Sequence, residues 1–203
     1  TSNELGRHFF VPSNQDFPDL RPQSVTRLIY LATYSDYSDR GNKLKLTQKT
    51  DMHYDDLKRV LGLSKDAVKD FWDEVSPIYI MKDKDGLMFT EKSVFIRGKL
   101  NKGTSYHKMY IEWIRILYAT APKCKHKHLG YLFQMLPYVN VEFNVLCHDP
   151  FEKNLNQINY MTPNEFCRQI GLDESNLHRL LKTYRELRFD VNGKPERVCS
   201  VVY

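Results

Sequence analysis

The chain lacks the marks of several functional classes. Its four cysteines (Cys124, Cys147, Cys167 and Cys199) show no framework spacing, so free thiols in a reducing compartment are expected rather than a disulfide scaffold. No apolar run reaches the length of a membrane span, so no membrane partner is expected, and the beginning of the sequence does not read as a signal peptide. A phosphate loop, a dinucleotide fingerprint, a metalloprotease motif and a serine elbow are all missing. Neither enzyme chemistry nor a cofactor is therefore expected. Acidic residues are scarce in one region. From Lys92 to His128, Glu112 alone stands against Lys92, Arg97, Lys99, Lys102, Lys108, Arg115, Lys123, Lys125 and Lys127, a formal +8 where the whole chain carries +5. Such a segment suits contact with phosphates.

What is present describes a globular protein of 203 residues, 41% hydrophobic and 27% charged, with 13 Tyr and 11 Phe to fill its cores. That length holds one ordinary domain or two small ones. The most informative stretch is Met161 to Tyr184. Thr162-Pro163-Asn164-Glu165 has a capping hydroxyl, Pro at the first helical position and Glu three residues after the cap. Phe166, Ile170 and Leu172 give this first helix an apolar side, and Gly171 stands where it must stop. Asp173 caps a second helix whose apolar residues are Leu177, Leu180, Leu181 and Tyr184, spaced i, i+3, i+4, i+7. Ser175, His178, Arg179 and Lys182 fall outside that stripe, with a formal charge of +2 and side chains of the kinds that read base edges.

Met52 to Val75 repeats this stretch at a single offset. Met52 matches Met161, Gly62-Leu63 matches Gly171-Leu172, and Ser64 matches Asp173. The stripe Val68, Phe71, Trp72 and Val75 stands against Leu177, Leu180, Leu181 and Tyr184. Upstream, Leu28-Ile29-Tyr30-Leu31 is echoed by Leu129-Gly130-Tyr131-Leu132. Two copies of one unit is the simplest account. Each copy ends in a candidate hairpin. In the first, Ile78 to Met81 and Leu87 to Phe89 flank a turn ending in Asp85-Gly86; in the second, Arg188 to Val191 and Arg197 to Val202 flank Asn192-Gly193. Lys43 to Leu46 alternates like a short strand. Helix, strand, helix-turn-helix and hairpin in that order make a winged helix.

The expected fold class is thus mainly α with small β-hairpins, as two winged helix-turn-helix units joined by a connector helix. The expected divisions are an irregular arm over 1–22, unit 1 over 23–104, a connector helix and basic loop over 105–128, and unit 2 over 129–203. Within the connector, Ser105 to Ala121 reads as one helix, buried between units or in a dimer interface.

The paired LGLS and IGLDES turns, each followed by a helix and a hairpin, resemble tandem winged-helix DNA-binding proteins: MarR-type regulators in single copy, and two-winged-helix replication initiators of plasmids and phages in tandem. The resemblance covers about residues 23 to 203. It implies a double-stranded DNA partner, a bacterial or phage-infected cytoplasm, and a phage or mobile-element transcriptional regulator. An initiator on iterated sites and a protein-interaction module are the alternatives. It also implies that Ser175, Asn176, His178, Arg179 and Lys182 enter the major groove while Lys194 and Arg197 meet the backbone.

The two copies are not equivalent. The first presents Asp66, Lys69, Asp70 and Asp73, formally −2, which would face phosphates unfavourably. The second copy is therefore expected to read DNA. The first is expected to hold a protein partner or a second copy of the chain, or to touch DNA through Lys65, Lys69, Lys82 and Lys84. The connector helix is the other candidate dimer surface, and Lys123, Lys125 and Lys127 of the basic loop are expected on phosphates. Cys124, His126 and His128, with Cys147 or His148, have the residue types of a zinc site. They alternate with lysines and lack the usual spacing, so no metal is expected. His126-Lys127-His128 is similar to the metal motif of rolling-circle initiators, but Lys occupies its hydrophobic position. His53 and His107 are expected near helix starts, and Trp72 and Trp113 in the core.

Overall fold

Pro22 fixes φ at the start of α1 (Pro22–Ala32), and the helix buries Val25, Leu28, Ile29, Leu31 and Ala32 on more than one side. That helix is the centre of unit 1 in a computed structural model that describes residues 6–37, 41–191 and 194–197, with 189–191 and 194–197 as backbone only. Before it lies β1 (His8–Pro12); after it come β2 (Ser35–Asp36), β3 (Lys43–Thr47), β4 (Thr50–Asp51), α2 (Leu57–Leu61), α3 (Lys65–Val75), β5 (Ile80–Lys82) and β6 (Met88–Thr90). The sheet runs β2-β3-β6-β5, antiparallel throughout, with β4 on β3. The chain continues through β7 (Tyr106–Tyr110), α4 (Ile111–Thr120), α5 (His126–Met135), α6 (Pro163–Gln169), α7 (Leu177–Glu186), β8 (Arg188–Val191) and β9 (Lys194–Arg197).

The architecture is an α/β mix, 44% helix and 18% strand, which corrects the expected mainly α class of two winged helix-turn-helix units and a connector helix. Two regions account for the difference. The arm read as irregular forms β1, which pairs antiparallel with β7 from Phe9↔Met109 to Val11↔His107. The connector read as one helix is strand over its first part, and helix starts only at Ile111. The cause is a long-range partner: Phe9, Val11 and Met109 bury one face of the pair, and their backbone groups satisfy each other across the ladder. His107 accordingly lies on a strand rather than at a helix start. His53 precedes a short 3-10 turn, its N–H donating to Asp56 Oδ2 at 3.0 Å. Trp72 is half-buried and packs against the core, and Trp113 is half-buried.

The internal repeat extends to backbone bonds. Met52 N donates to Leu44 O at 2.9 Å, and Met161 N to Leu146 O at 3.0 Å. Lys45 N donates to Tyr34 O at 2.9 Å, and Cys147 N to Tyr138 O at 2.8 Å. In unit 2 a longer excursion separates the bonded residues, and isolated bridges (Val139↔Leu146 and Cys147↔Tyr160) replace a regular strand.

The units meet through equivalent helices, α1 against α5. They cross so closely that a Cβ on Gly130 would fall 1.7 Å from Pro22 O. Thr26 Oγ1 donates to His126 O at 2.6 Å across this seam. The larger core runs through unit 1 and includes Leu129 and Phe133 of α5; the smaller gathers Met161, Phe166, Leu180 and Tyr184.

Candidate nucleic-acid interface

The helix-turn-helix of unit 2 is fixed by local chemistry. Thr162 Oγ1 accepts from Glu165 N at 3.3 Å while Glu165 Oε2 accepts from Thr162 N at 2.7 Å, a reciprocal cap on α6. Gly171 takes φ +66°, and Leu172 N closes the helix end on Cys167 O at 2.8 Å. Asp173 accepts from Ser175 N at 2.8 Å and starts the next turn. Ser175 and Asn176 lie in a 3-10 turn, Glu174–Asn176, just ahead of α7. Leu180, Thr183 and Tyr184 face inward; His178, Arg179 and Lys182 are exposed. Lys182 pairs loosely with Glu186 at 3.7 Å.

Beside this face runs the basic loop. Lys125 Nζ donates to Thr183 Oγ1 at 3.2 Å, His128 Nδ1 lies 2.6 Å from the same hydroxyl, and Tyr184 OH donates to His128 O at 2.8 Å. Thr183 in turn donates to Arg179 O at 3.0 Å. These bonds draw Lys125 and Lys127 together with Arg179 and Lys182 around one shallow depression, which Cys124, His128 and Glu186 also line. Burial pulls the His128 imidazole down to about 4, and the charges of Lys125 and Lys127 add to that effect. The ring is therefore neutral at neutral pH.

The other expected DNA residues are scattered. Lys123 Nζ donates to Gly62 O and closes the turn of unit 1 instead of facing solvent unbound. Lys65 is exposed at the start of α3, whereas Lys69 is held by Asp73 at 2.8 Å, with Asp66 and Asp70 exposed beside it. Lys82 Nζ sits 4.3 Å from the centre of the Tyr54 ring and 5.5 Å from that of Trp72. Lys84 is exposed in the turn between β5 and β6. Lys194 and Arg197 lie on β9, and their side chains, like Asn192 and Gly193, are outside the described residues. Among the described residues no three His, Cys, Asp or Glu side chains converge as metal ligands would. No described helix is long and apolar enough to cross a membrane.

Sequence reasoning missed Thr183 and weighed His128 only as a metal ligand; the two join the recognition-type helix to the loop. The available signal was a threonine beside Tyr184 on the inward side of α7. No family model, curated protein or solved structure matches the chain.

Proposed function

We propose that this protein binds double-stranded DNA without catalysis and reads it with α7 of unit 2. The supporting observation is the convergence of Arg179 and Lys182 with Lys125 and Lys127 on one depression, while the opposite side of α7 is buried. Arg179 suits a guanine edge, and the lysines suit phosphates. Exposed His178 and Ser175 add hydrogen-bonding groups at the front of the helix.

The test is selection of bound sequences from random duplexes, followed by titration of the best one. Arg179→Ala should weaken binding about tenfold or more and relax one base position. With three lysines on phosphates, affinity should fall with salt, with a logarithmic slope of roughly −2 to −3. No enrichment and a flat salt response would defeat the reading.

Transcriptional regulation by a phage or mobile element is the use we propose, and replication initiation is the competing one. A footprint over one palindrome supports the first; a footprint over iterated repeats supports the second. A separate observation favours a protein contact on unit 1: the exposed carboxylates Asp66, Asp70 and Asp73 of α3 suit a basic partner better than DNA.

A further inference from the structure

The arm and connector build a surface that the α7 reading leaves unused. Along β1 the burial alternates, with Phe9 and Val11 inside, so His8, Phe10 and Pro12 share the opposite face. Their partners on β7 are Tyr110, Lys108 and Tyr106 respectively. That face is an aromatic sheet with a cation at its centre. His8 meets Phe10 edge-on at 5.1 Å and Tyr110 at 5.9 Å, Phe10 meets Tyr106 at 6.3 Å, and Lys108 Nζ lies 5.8 Å from the Tyr110 ring centre. The four rings are half-buried and Lys108 is exposed.

The surface extends past β1. Phe10 exchanges two backbone bonds with Ile96, at 2.7 and 2.9 Å, and Asn101 N donates to Tyr106 OH at 3.3 Å, which brings the segment that carries Lys102 to this sheet. Arg97, Lys99 and Lys102 are exposed, and between Lys92 and Glu112 the sequence has no carboxylate. Glu112, at the far edge, is paired with Arg7 at 3.1 Å.

The geometry points to a binding platform for single-stranded DNA, on which bases stack on Phe10, Tyr106 and Tyr110 while Lys108 and Lys102 hold phosphates. Aromatic rings on a sheet face accept any unpaired base, and nearby cations follow the backbone. A duplex hides its base faces in its own stack and has no use for such rings, so this surface is complementary to an unpaired strand. The choice of DNA over RNA rests on the duplex-binding reading of α7; the stacking argument does not.

The test uses the full chain in fluorescence anisotropy with labelled dT12, rU12 and a duplex. The double variant Phe10→Leu/Tyr106→Leu keeps apolar bulk but removes two rings. It should weaken dT12 binding about tenfold or more, leave duplex binding within twofold, and keep the wild-type circular dichroism. Lys102→Gln/Lys108→Gln changes only exposed side chains, so it serves even where the aromatic variant misfolds. It should weaken dT12 binding and flatten its salt dependence. Arg179→Ala should leave dT12 binding unchanged; an unchanged duplex affinity in that variant would defeat the α7 reading alone. The platform is overturned by dT12 binding that survives both double variants, or by equal sensitivity of dT12 and duplex to Arg179→Ala. Binding of rU12 as tight as that of dT12 would overturn the assignment to DNA.

Discussion

The two helix-turn-helices share a turn and its backbone bonds and differ in what they present. Gly62 and Gly171 take φ +63° and +66°, Ser64 and Asp173 each cap the helical turn after them, and matching bonds tie Met52 to Leu44 and Met161 to Leu146. Yet the outward residues of α3 are Asp66, Lys69, Asp70 and Asp73, where unit 2 has Ser175, His178, Arg179 and Lys182. The neighbours differ in the same sense. The loop lysine that reaches unit 1, Lys123, is consumed by a backbone carbonyl, whereas Lys125 at unit 2 stands beside Arg179 and Lys182. Burial patterns specify the fold, and exposed positions are free to specify a partner.

The largest effect should come from breaking the seam that holds the two units in one relation. Gly130→Val would drive a side chain into the Pro22 carbonyl, so a loss of several kcal/mol is expected, read as a fall in Tm of ten degrees or more. An unchanged melt would mean that α1 and α5 do not meet at this point.

Next comes a transplant of charge. Asp66→Ser, Asp70→Arg and Asp73→Lys together give unit 1 three of the four outward residues of unit 2, and duplex affinity should rise severalfold with a steeper salt dependence. If the transplanted chain gained nothing, the contrast between the faces would have no bearing on DNA.

The turn glycines sharpen the comparison further. An alanine at either must hold a left-handed conformation, costing roughly 1–2 kcal/mol. Gly62→Ala should cost more than Gly171→Ala, because its Cβ would come within 3.2 Å of Lys123 Nζ while that of Gly171 meets nothing within 4 Å. Urea unfolding of the two variants gives the order.

The smallest effect is that of acid. His126 and His128 of α5 and His107 of β7 are all held below the ordinary imidazole value, first of all by burial. A depressed folded value means that the unfolded chain binds the proton more readily. The stability these rings contribute is whole above about pH 6.5, and for His128 it drains as pH falls towards 4. Tm should drop by a few degrees between pH 7.5 and 5, and His128→Gln should flatten that slope. A Tm that rose on acidification would reverse the assignment.

The helix-turn-helices were legible because their signals are local. A cap, a glycine and a stripe of apolar residues lie within 24 residues, so Met52 to Val75 and Met161 to Tyr184 could be aligned without a structure. The β1–β7 pair was not legible. His8 to Pro12 holds the strand-favouring Phe9, Phe10 and Val11, but the run is short, has no polar-apolar alternation, and pairs with a partner about a hundred residues away. Met109 and Tyr110 also fall into helical spacing with Trp113 and Ile114, so the connector pattern concealed a change from strand to helix at Ile111. Of the candidate DNA residues, those on α7 followed from periodicity. The different fates of Lys123, Lys125 and Lys127 depended on which turn lay opposite each, and spacing carries no record of that.

The crossing at Gly130 also bears on how the two units could have diverged. In unit 1 the position matching Gly130 is Ile29, which is buried. Two identical copies of unit 1 would put isoleucine where glycine meets the Pro22 carbonyl, a place in which even a Cβ falls at 1.7 Å, so the seam is one that only unlike copies make. Joining the copies in one polypeptide relieved each of the need to match itself. A substitution on one face no longer had to be tolerated twice, so the carboxylates of α3 could accumulate without spoiling the cations of α7.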